Sequence, residues 1–586
     1  MRTSISMPRH LCRVIIFLAL LLLLSGGPVH AGVVDDAIRQ QEQILQHEEQ
    51  RRLEQERLHR EQLNRPPSQR EDAPSKQEPA VPKGTCFPIK QVILTGATLL
   101  DASEKKAVTA PFEGRCLTLD EIDNLIKAVT NKYIEKGYVT TRAGIPAQDM
   151  SDGILEIIVV EGRVEEVSFT DEQAGKPEEL AMAFPDIENA PLNLRDIEQG
   201  IDQMNRLPSN SVRMKLVPGS KPGTSRVLVD KKSIKTWRAT IGLNNSGQDS
   251  TGRNQYSLSF EKDNLANLND LLSVYANADA KALTNGNRHR SESLSAYYSV
   301  PHGYWTYSAN WSYFDYRTSI TGGTATYSSS GKTRTFGASA ERVIHRDKVS
   351  KTSLGGSFRF RETQNYLAGV KLDASSYLLS SLGFSLSHAR RAFGGSLSGN
   401  VEYRKGIPAF GSGWDSSHSR STPRYEFEKI TFSGSFYRPI PLENCQLSWS
   451  TRLFGQWSPD TMFDAERISI GSRYSVRGFQ DESLSGDIGG YVRNELALTP
   501  DYSPDTSQSL RSWLGKAQFY TGYDAGFIHE DKRDEEERGT LQGAVLGLRT
   551  IGGTIRLDLA VAHPLDAPSF MQTNPLEYYA SFKIAF

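Results

Sequence analysis

An arginine in a glycine-rich loop and two carboxylates further along the chain are the residues whose chemistry is easiest to interpret. The loop carries Arg477, the strand-like stretch after it carries Glu495, and Asp524 stands in the later motif Tyr523-Asp524-Ala525-Gly526. A guanidinium presents a planar fork of donors that carboxylate oxygens accept, so these residue types favour a fixed ion pair. The loop motif consists of Val476, Arg477, Gly478 and Phe479.

The energetic importance of such a pair depends on whether water reaches it. A solvated pair contributes about 0 to 1 kcal/mol. Removing one partner of a desolvated pair costs about 3 to 5 kcal/mol. The sequence leaves both regimes open, and the alternative for Arg477 is a solvated loop arginine.

Residue patterns for enzyme, metal or cofactor chemistry do not emerge from the sequence. Ser330-Gly331-Lys332-Thr333 matches the end of a phosphate-binding loop, but Thr326 stands where that motif requires a glycine, and the flanks are strand-like. The 11 histidines show no metal-ligand spacing, and no GxSxG nucleophile elbow is present. We therefore predict no enzyme activity, cofactor or metal. The net charge of -1 gives no reason to expect a nucleic-acid partner.

The region that must position the arginine and the carboxylates has the period of β-strands. From Trp237 to the terminal Phe586, apolar residues alternate with polar ones in segments such as Leu294 to Val300 and Tyr578 to Phe586. Mean hydropathy is only -0.46, which a transmembrane barrel tolerates because alternate residues face a polar lumen. An open sheet in lipid would leave backbone groups unpaired, so the sequence predicts a closed barrel. Alternation permits fourteen, sixteen or eighteen strands, and taken alone also a soluble β-sandwich.

Strand alternation predicts the side on which each charged residue lies. Counting back from a periplasmic C-terminus, the loop from Gly471 to Gly490 starts on the extracellular side. Leu496, Leu498 and Tyr523 should face lipid, so their neighbours face the lumen. Arg477 can reach these neighbours only if its loop folds inward. The predicted lumen residues are Asp524, Glu495 and Arg493.

Upstream of the strands, a helix-start motif occurs twice. Residues 118–123 (TLDEID) and 193–198 (NLRDIE) place Thr118 and Asn193 as N-caps, each with an acid at the third helical position. Strand-like segments lie around both helices. The sequence therefore predicts two consecutive β/α modules of similar size.

The N-terminus indicates export. A basic start and a short apolar run predict a signal peptide over residues 1–31. Residues 32–64 lack Pro and Gly from Asp35 onwards and predict a polar helix, lying either in the barrel lumen or as a solvated arm. Residues 65–84, rich in Pro and Ser, predict a flexible linker.

Two cysteines, Cys86 and Cys116, lie in the first predicted module. Because an exported protein meets an oxidising compartment, we predict a disulfide between them. Closing the loop between these two residues stabilises a domain by about 3 to 4 kcal/mol. The alternative is a pair of buried thiols.

Together these motifs resemble the signature of two-partner secretion transporters of the hemolysin-activator type, in the superfamily of the barrel assembly protein. The resemblance rests on Val476-Arg477-Gly478-Phe479 followed by Arg493-Asn494-Glu495-Leu496, on Tyr523-Asp524-Ala525-Gly526, on Tyr298 to Trp305 and on Pro564-Leu565. It implies a mainly β fold with sixteen antiparallel barrel strands, two periplasmic POTRA domains, and an N-terminal helix that plugs the pore. The expected segments are signal peptide 1–31, plug helix 32–64, linker 65–84, POTRA 1 at 85–163, POTRA 2 at 164–232 and barrel 233–586.

The resemblance also implies a function and a location. The expected role is secretion of a large partner exoprotein of the hemolysin, adhesin or contact-dependent toxin type across the outer membrane of a Gram-negative bacterium. Other expected partners are outer-membrane lipid and the barrel assembly machinery that inserts the barrel. An insertase for other barrels and a passive porin are the alternatives, and the porin leaves the capped repeats unexplained.

Overall fold

A computed structural model describes residues 86–248, 252–280, 290–322, 325–415, 422–501, 508–529 and 538–586. The predicted signal peptide, polar helix and linker lie outside the described residues, as does most of the charged segment from Glu530 to Gly539. Within the described ranges, no helix has the length and hydropathy to cross a membrane.

The first module packs helices against a small sheet. Its helix α2 begins at the predicted cap, where Thr118 and Glu121 bond to each other's backbone N–H groups, and ends before Gly137, whose φ is +97°. Leu125, Val129 and Ile157 form part of its buried core. The elements are β1 (Cys86–Ile89), β2 (Gln91–Thr95), α1 (Ala102–Thr109), β3 (Arg115–Thr118), α2 (Leu119–Glu135), β4 (Arg142–Gly144) and β5 (Ile154–Val160).

The second module repeats this layout. Asn193 caps its longer helix by accepting from the backbone N–H of Arg195 at 2.9 Å. Its sheet has the order β6-β8-β7, with β6 parallel to β8. The elements are β6 (Arg163–Phe169), α3 (Pro177–Ala183), α4 (Leu194–Asn205), β7 (Asn210–Pro218) and β8 (Thr224–Ser233).

The remaining strands close into an antiparallel barrel in which β27 pairs with β9. Seventeen strands take part, but the two-residue β16 only folds back on the end of β15, which pairs directly with β17, so sixteen strands form the wall. The strands are β9 (Trp237–Asn244), β10 (Gln255–Asp263), β11 (Leu271–Asp279), β12 (Arg290–His302), β13 (Trp305–Gly322), β14 (Ala325–Arg346), β15 (Ser350–Leu367), β16 (Val370–Lys371), β17 (Tyr377–Ala392), β18 (Gly395–Ile407), β19 (Glu428–Pro441), β20 (Cys445–Trp457), β23 (Gly489–Pro500), β24 (Gly515–Ile528), β25 (Gly539–Gly552), β26 (Ile555–Asp566) and β27 (Glu577–Ala585). The hairpin β21 (Ile468–Ile470) and β22 (Leu484–Gly486) and the helix α5 (Gln508–Leu514) lie between wall strands.

Alternation along the strands gives the wall an apolar outer face and a polar inner one. Ile241, Leu496 and Phe582 are exposed on the outer face, as expected. Leu498 differs from Leu496 in its exposure. Leu498 has the parity of Leu496 but is only 7% exposed, with the large apolar Leu447 and Phe519 as its cross-strand neighbours.

The second module is fixed to one rim of the barrel by polar contacts. Gln203 donates from Nε2 to the carbonyl oxygen of Gly303 at 2.9 Å, in the turn between β12 and β13. In the same area, the Tyr304 hydroxyl donates to Asp196 at 2.6 Å, and Arg346 pairs with Asp202 at 2.5 Å. Helix α4 is therefore held against the barrel mouth.

Candidate functional site

The candidate site is the loop of residues 458–488, which joins β20 to β23 and folds back into the barrel. Its hairpin β21–β22 carries the predicted motif at the tip. Val476 and Phe479 are buried with Ile470, Leu484 and Leu541 in an apolar cluster. The inward fold that strand parity required is present.

Arg477 is bound by both predicted carboxylates. Its Nε and Nη2 donate to the two oxygens of Asp524 on β24, at 2.5 and 2.8 Å, and its Nη1 donates to Glu495 on β23 at 3.2 Å. Arg477 is 5% exposed and Asp524 is fully buried. Since the pair is desolvated, loss of one partner falls in the regime of about 3 to 5 kcal/mol.

Two further arginines complete this network. Arg493 donates to the carbonyl oxygen of Tyr474 at 2.9 Å, and its Nε lies 3.9 Å from Asp524. Arg549 on β25 pairs with Glu495 at 2.7 Å. The carboxylates therefore tie the loop tip to β23 and β24, and Glu495 connects this network to Arg549 on β25.

Close backbone packing holds the motif against the wall. Gly478 has a φ of +106°, which favours glycine, and its N–H donates to the Tyr579 hydroxyl at 3.1 Å. A Cβ added at Gly543 would collide with the carbonyl oxygen of Arg477. These two positions therefore require glycine for the loop to dock.

Three contact residues of the site were not singled out from the sequence. Tyr579 accepts from Gly478, and Asp558 on β26 pairs with Arg473 of the loop at 2.9 Å. Alternation along β26 and β27 could have identified both, because each has the parity opposite to the lipid-facing residues. Glu466, near the start of the loop, lies in a segment without strand period, so no pattern pointed to it.

Outside the barrel, the structure joins Cys86 and Cys116 by a disulfide that links β1 to β3.

The segment from Ser330 to Thr333 lies inside barrel strand β14, which is no setting for a phosphate-binding loop. Across the described residues, no group of His, Cys, Asp and Glu has an arrangement that could hold a metal ion.

The fold and the site define an outer-membrane transporter of the POTRA and barrel class. Sixteen strands close into an apolar-faced barrel, the second of two β/α modules contacts one rim, and a loop is docked inside the lumen. Residues 223–550 match the family described as haemolysin secretion/activation protein ShlB/FhaC/HecB. The modules match a POTRA domain of ShlB type over residues 87–162 and a POTRA domain over residues 163–218. The chain belongs to the haemolysin secretion/activation protein family.

Individual relatives agree with this assignment. The outer membrane transporter CdiB of Dickeya dadantii (strain 3937) is 33% identical over 506 residues, which cover 86% of this chain and 87% of the relative. Hemolysin transporter protein ShlB of Serratia marcescens is 30% identical, over 76% of this chain and 80% of that protein. The solved structure of CdiB from Escherichia coli is 31% identical with a TM-score of 0.84, covering 95% of this chain and 100% of that one.

The family and the fold give this chain its class and location. It is an outer-membrane transporter of two-partner secretion, with the barrel in the outer membrane and the POTRA domains in the periplasm. The predicted family, the sixteen-stranded barrel and the two POTRA domains are confirmed.

Proposed function

We propose that the chain secretes one large exoprotein of the hemolysin, adhesin or contact-dependent toxin type, passing it in extended form through the barrel lumen. The observation that carries this proposal is the Arg477 loop, docked inside a lumen whose periplasmic mouth is held against POTRA 2. The docked loop narrows the lumen. The part of the barrel wall that the loop leaves free is the surface along which the exoprotein can move.

The lumen wall of β12 to β14 suits an extended polypeptide. Many of its inward residues are small, uncharged and rich in hydroxyl groups, so they exchange hydrogen bonds with any backbone without selecting a sequence. The outward neighbours Leu294, Trp311 and Phe336 are exposed and apolar. The inward set includes Ser295, Ser308, Asn310, Ser312, Thr335 and Ser339.

We also propose that the exoprotein first docks on a POTRA strand edge or groove. In POTRA 1 the sheet order is β2-β5-β4, so β2 and β4 are edge strands. The outer face of this sheet exposes Ile93, Ile154, Ile158 and Val160. An extended segment could pair with an edge and place alternate side chains on these residues.

The remaining partners follow from the barrel itself. Its apolar outer belt fits outer-membrane lipid, and we propose insertion by the barrel assembly machinery. Transport would then draw on folding of the exoprotein outside the cell. In this proposal the chain is a conduit without enzyme activity.

Comparison of the surface proteome before and after deletion of the gene tests the function. Loss of a single large exoprotein, restored by the gene in trans, supports the proposal. Loss of many barrel proteins would make the chain an insertase, and an intact surface proteome with lost solute uptake would make it a porin.

A further inference from the structure

The loop of residues 458–488, which we call the pore loop, buries a second carboxylate near its start, apart from the contacts of the Arg477 motif. Glu466 closes a single 3₁₀ turn, Asp464–Glu466, and is 2% exposed. Its carboxylate lies 2.8 Å from the Lys429 Nζ on β19 and 3.2 Å from the Arg361 Nη1 on β15. Arg359, two residues before Arg361, lies 4.0 Å away.

These cations belong to a basic patch of the wall, which we define as Arg359, Arg361, Arg404 and Lys429. Arg404 on β18 stands directly across from Lys429 in the strand register and pairs with Glu402. With Glu402 and Glu466 the patch has a formal charge of +2 (four minus two). Without Glu466 that charge is +3.

The backbone and an aromatic contact hold the same turn. The carbonyl oxygen of Glu466 accepts from Lys429 at 2.9 Å and from the Gln456 Nε2 at 3.0 Å, and the carbonyl oxygen of Ala465 accepts from Arg361. Phe463 packs between Tyr377 and Tyr425, with ring centroids 4.4 and 4.9 Å apart. These contacts therefore hold the turn in position, and the neighbouring cations balance the charge of its carboxylate.

The start and the tip of the loop contact parts of the barrel wall that carry opposite charge. The start places an anion among cations on β15, β18 and β19, and the tip places Arg477 between carboxylates on β23 and β24. Arg473 extends the tip contacts to Asp558 on β26, which is eight strands from β15 in a wall of sixteen. The charges of the wall therefore match those of the loop at both places.

We propose that Glu466 is a positioning residue, the second anchor of the pore loop, and that it also shields the three buried cations of the basic patch, Arg361, Arg404 and Lys429, from the pore. The loop then acts as a strut across the lumen. Removing the carboxylate releases the start of the loop and exposes these three cations to permeating ions. The inference rests on the proposed function only in its secretion readout, because ion selectivity is measured without an exoprotein.

Glu466→Gln tests the proposal in the full-length transporter. We expect the barrel to insert, secretion to fall by about ten-fold or more because a buried ionic cluster has lost its anion, and the reversal potential in a salt gradient across planar bilayers to shift towards anion selectivity. Glu443→Gln, in an exposed turn between β19 and β20, is the matched control with wild-type behaviour expected. Wild-type ion selectivity in Glu466→Gln overturns the proposal, whatever happens to secretion.

Two further variants keep the test decisive if Glu466→Gln does not insert. Arg359→Gln removes one cation whose side chain is 35% exposed, and the pore should become less anion-selective. The double variant Glu466→Lys with Lys429→Glu exchanges the members of the buried pair. Its ion selectivity should be closer to that of the wild type than the selectivity of a single variant that lacks the Glu466 carboxylate. An Arg359→Gln pore with unchanged selectivity contradicts the proposal.

Discussion

Arg477 is the side chain whose removal should disturb the pore loop most directly. It connects the loop tip to Asp524 and Glu495 through three side-chain hydrogen bonds in a desolvated setting. Loss of the guanidinium leaves Asp524 buried without its main partner, at about 3 to 5 kcal/mol. That penalty exceeds the free energy of a ten-fold change in an equilibrium constant. We therefore expect Arg477→Ala to lower secretion at least ten-fold while the barrel still inserts, measured as exoprotein in the medium and as heat-modifiable mobility of the barrel.

An exposed arginine on the outer face is the control for this variant. Arg334 pairs with Glu362 at 3.4 Å, but its side chain is 58% exposed, so the pair contributes about 0 to 1 kcal/mol. We expect Arg334→Ala to secrete as the wild type does. Normal secretion by Arg477→Ala would show that the docked loop is dispensable.

Gly543 tests the same contact from the side of the wall. A side chain there would collide with the carbonyl oxygen of Arg477, so Gly543→Val should displace the loop without removing any charge. We expect reduced secretion and an altered single-channel conductance. Gly356→Ala, at a position with open space around the added carbon, should change neither quantity, and unaltered conductance in Gly543→Val would contradict the docking geometry.

The sequence located the central residues of the site but not all of them. Strand alternation placed Asp524 and Glu495 on the lumen side, and the loop motif supplied Arg477. The burial of the pair depends on how deeply the loop enters the barrel, which no local pattern encodes. Glu466 went unnoticed because its turn has neither strand nor helix period.

At the scale of elements, local rules identified one helix in each POTRA domain. The capping pattern at Thr118 predicted the start of α2 correctly, because capping is decided within one turn. The hairpin β21–β22 was not predicted. Its two strands have three residues each, too few to show a period, and they form because the barrel wall encloses them.

The disulfide of POTRA 1 is an element-scale feature that can be measured. It ties β1 to β3, which carries the cap of α2. We expect Cys86 and Cys116 to be linked in freshly isolated membranes, as shown by non-reducing peptide mapping. Cys86→Ser with Cys116→Ser should lower the stability of the domain by about 3 to 4 kcal/mol and speed its proteolysis. Two free thiols in the wild type would contradict this assignment.

At the scale of the whole molecule, closure of the barrel followed from the requirement that backbone groups in lipid be paired. The number sixteen did not follow from alternation, which fourteen or eighteen strands also satisfy, and came from the family resemblance. The docking of POTRA 2 on the rim was outside the reach of the sequence. It depends on contacts such as that between Arg346 and Asp202, which are 144 residues apart.

The segment from Asp35 to Leu63 lies outside the described residues, and its place in the pore stays a prediction. Its polarity suits a water-filled lumen better than an apolar core. If it plugs the barrel, its deletion should raise the single-channel conductance in planar bilayers while the POTRA domains still bind the exoprotein. Unchanged conductance would favour a solvated arm and leave the secretion function intact.

The central claim is that an exoprotein passes through the barrel lumen, and site-specific crosslinking tests it most directly. A photoreactive residue at Ser295, on the inward face of β12, should capture a stalled exoprotein during secretion. The same residue at Leu294, the adjacent position that is exposed on the outer face, should not. Capture at Leu294 alone, or at neither position while secretion continues, would contradict passage through the lumen.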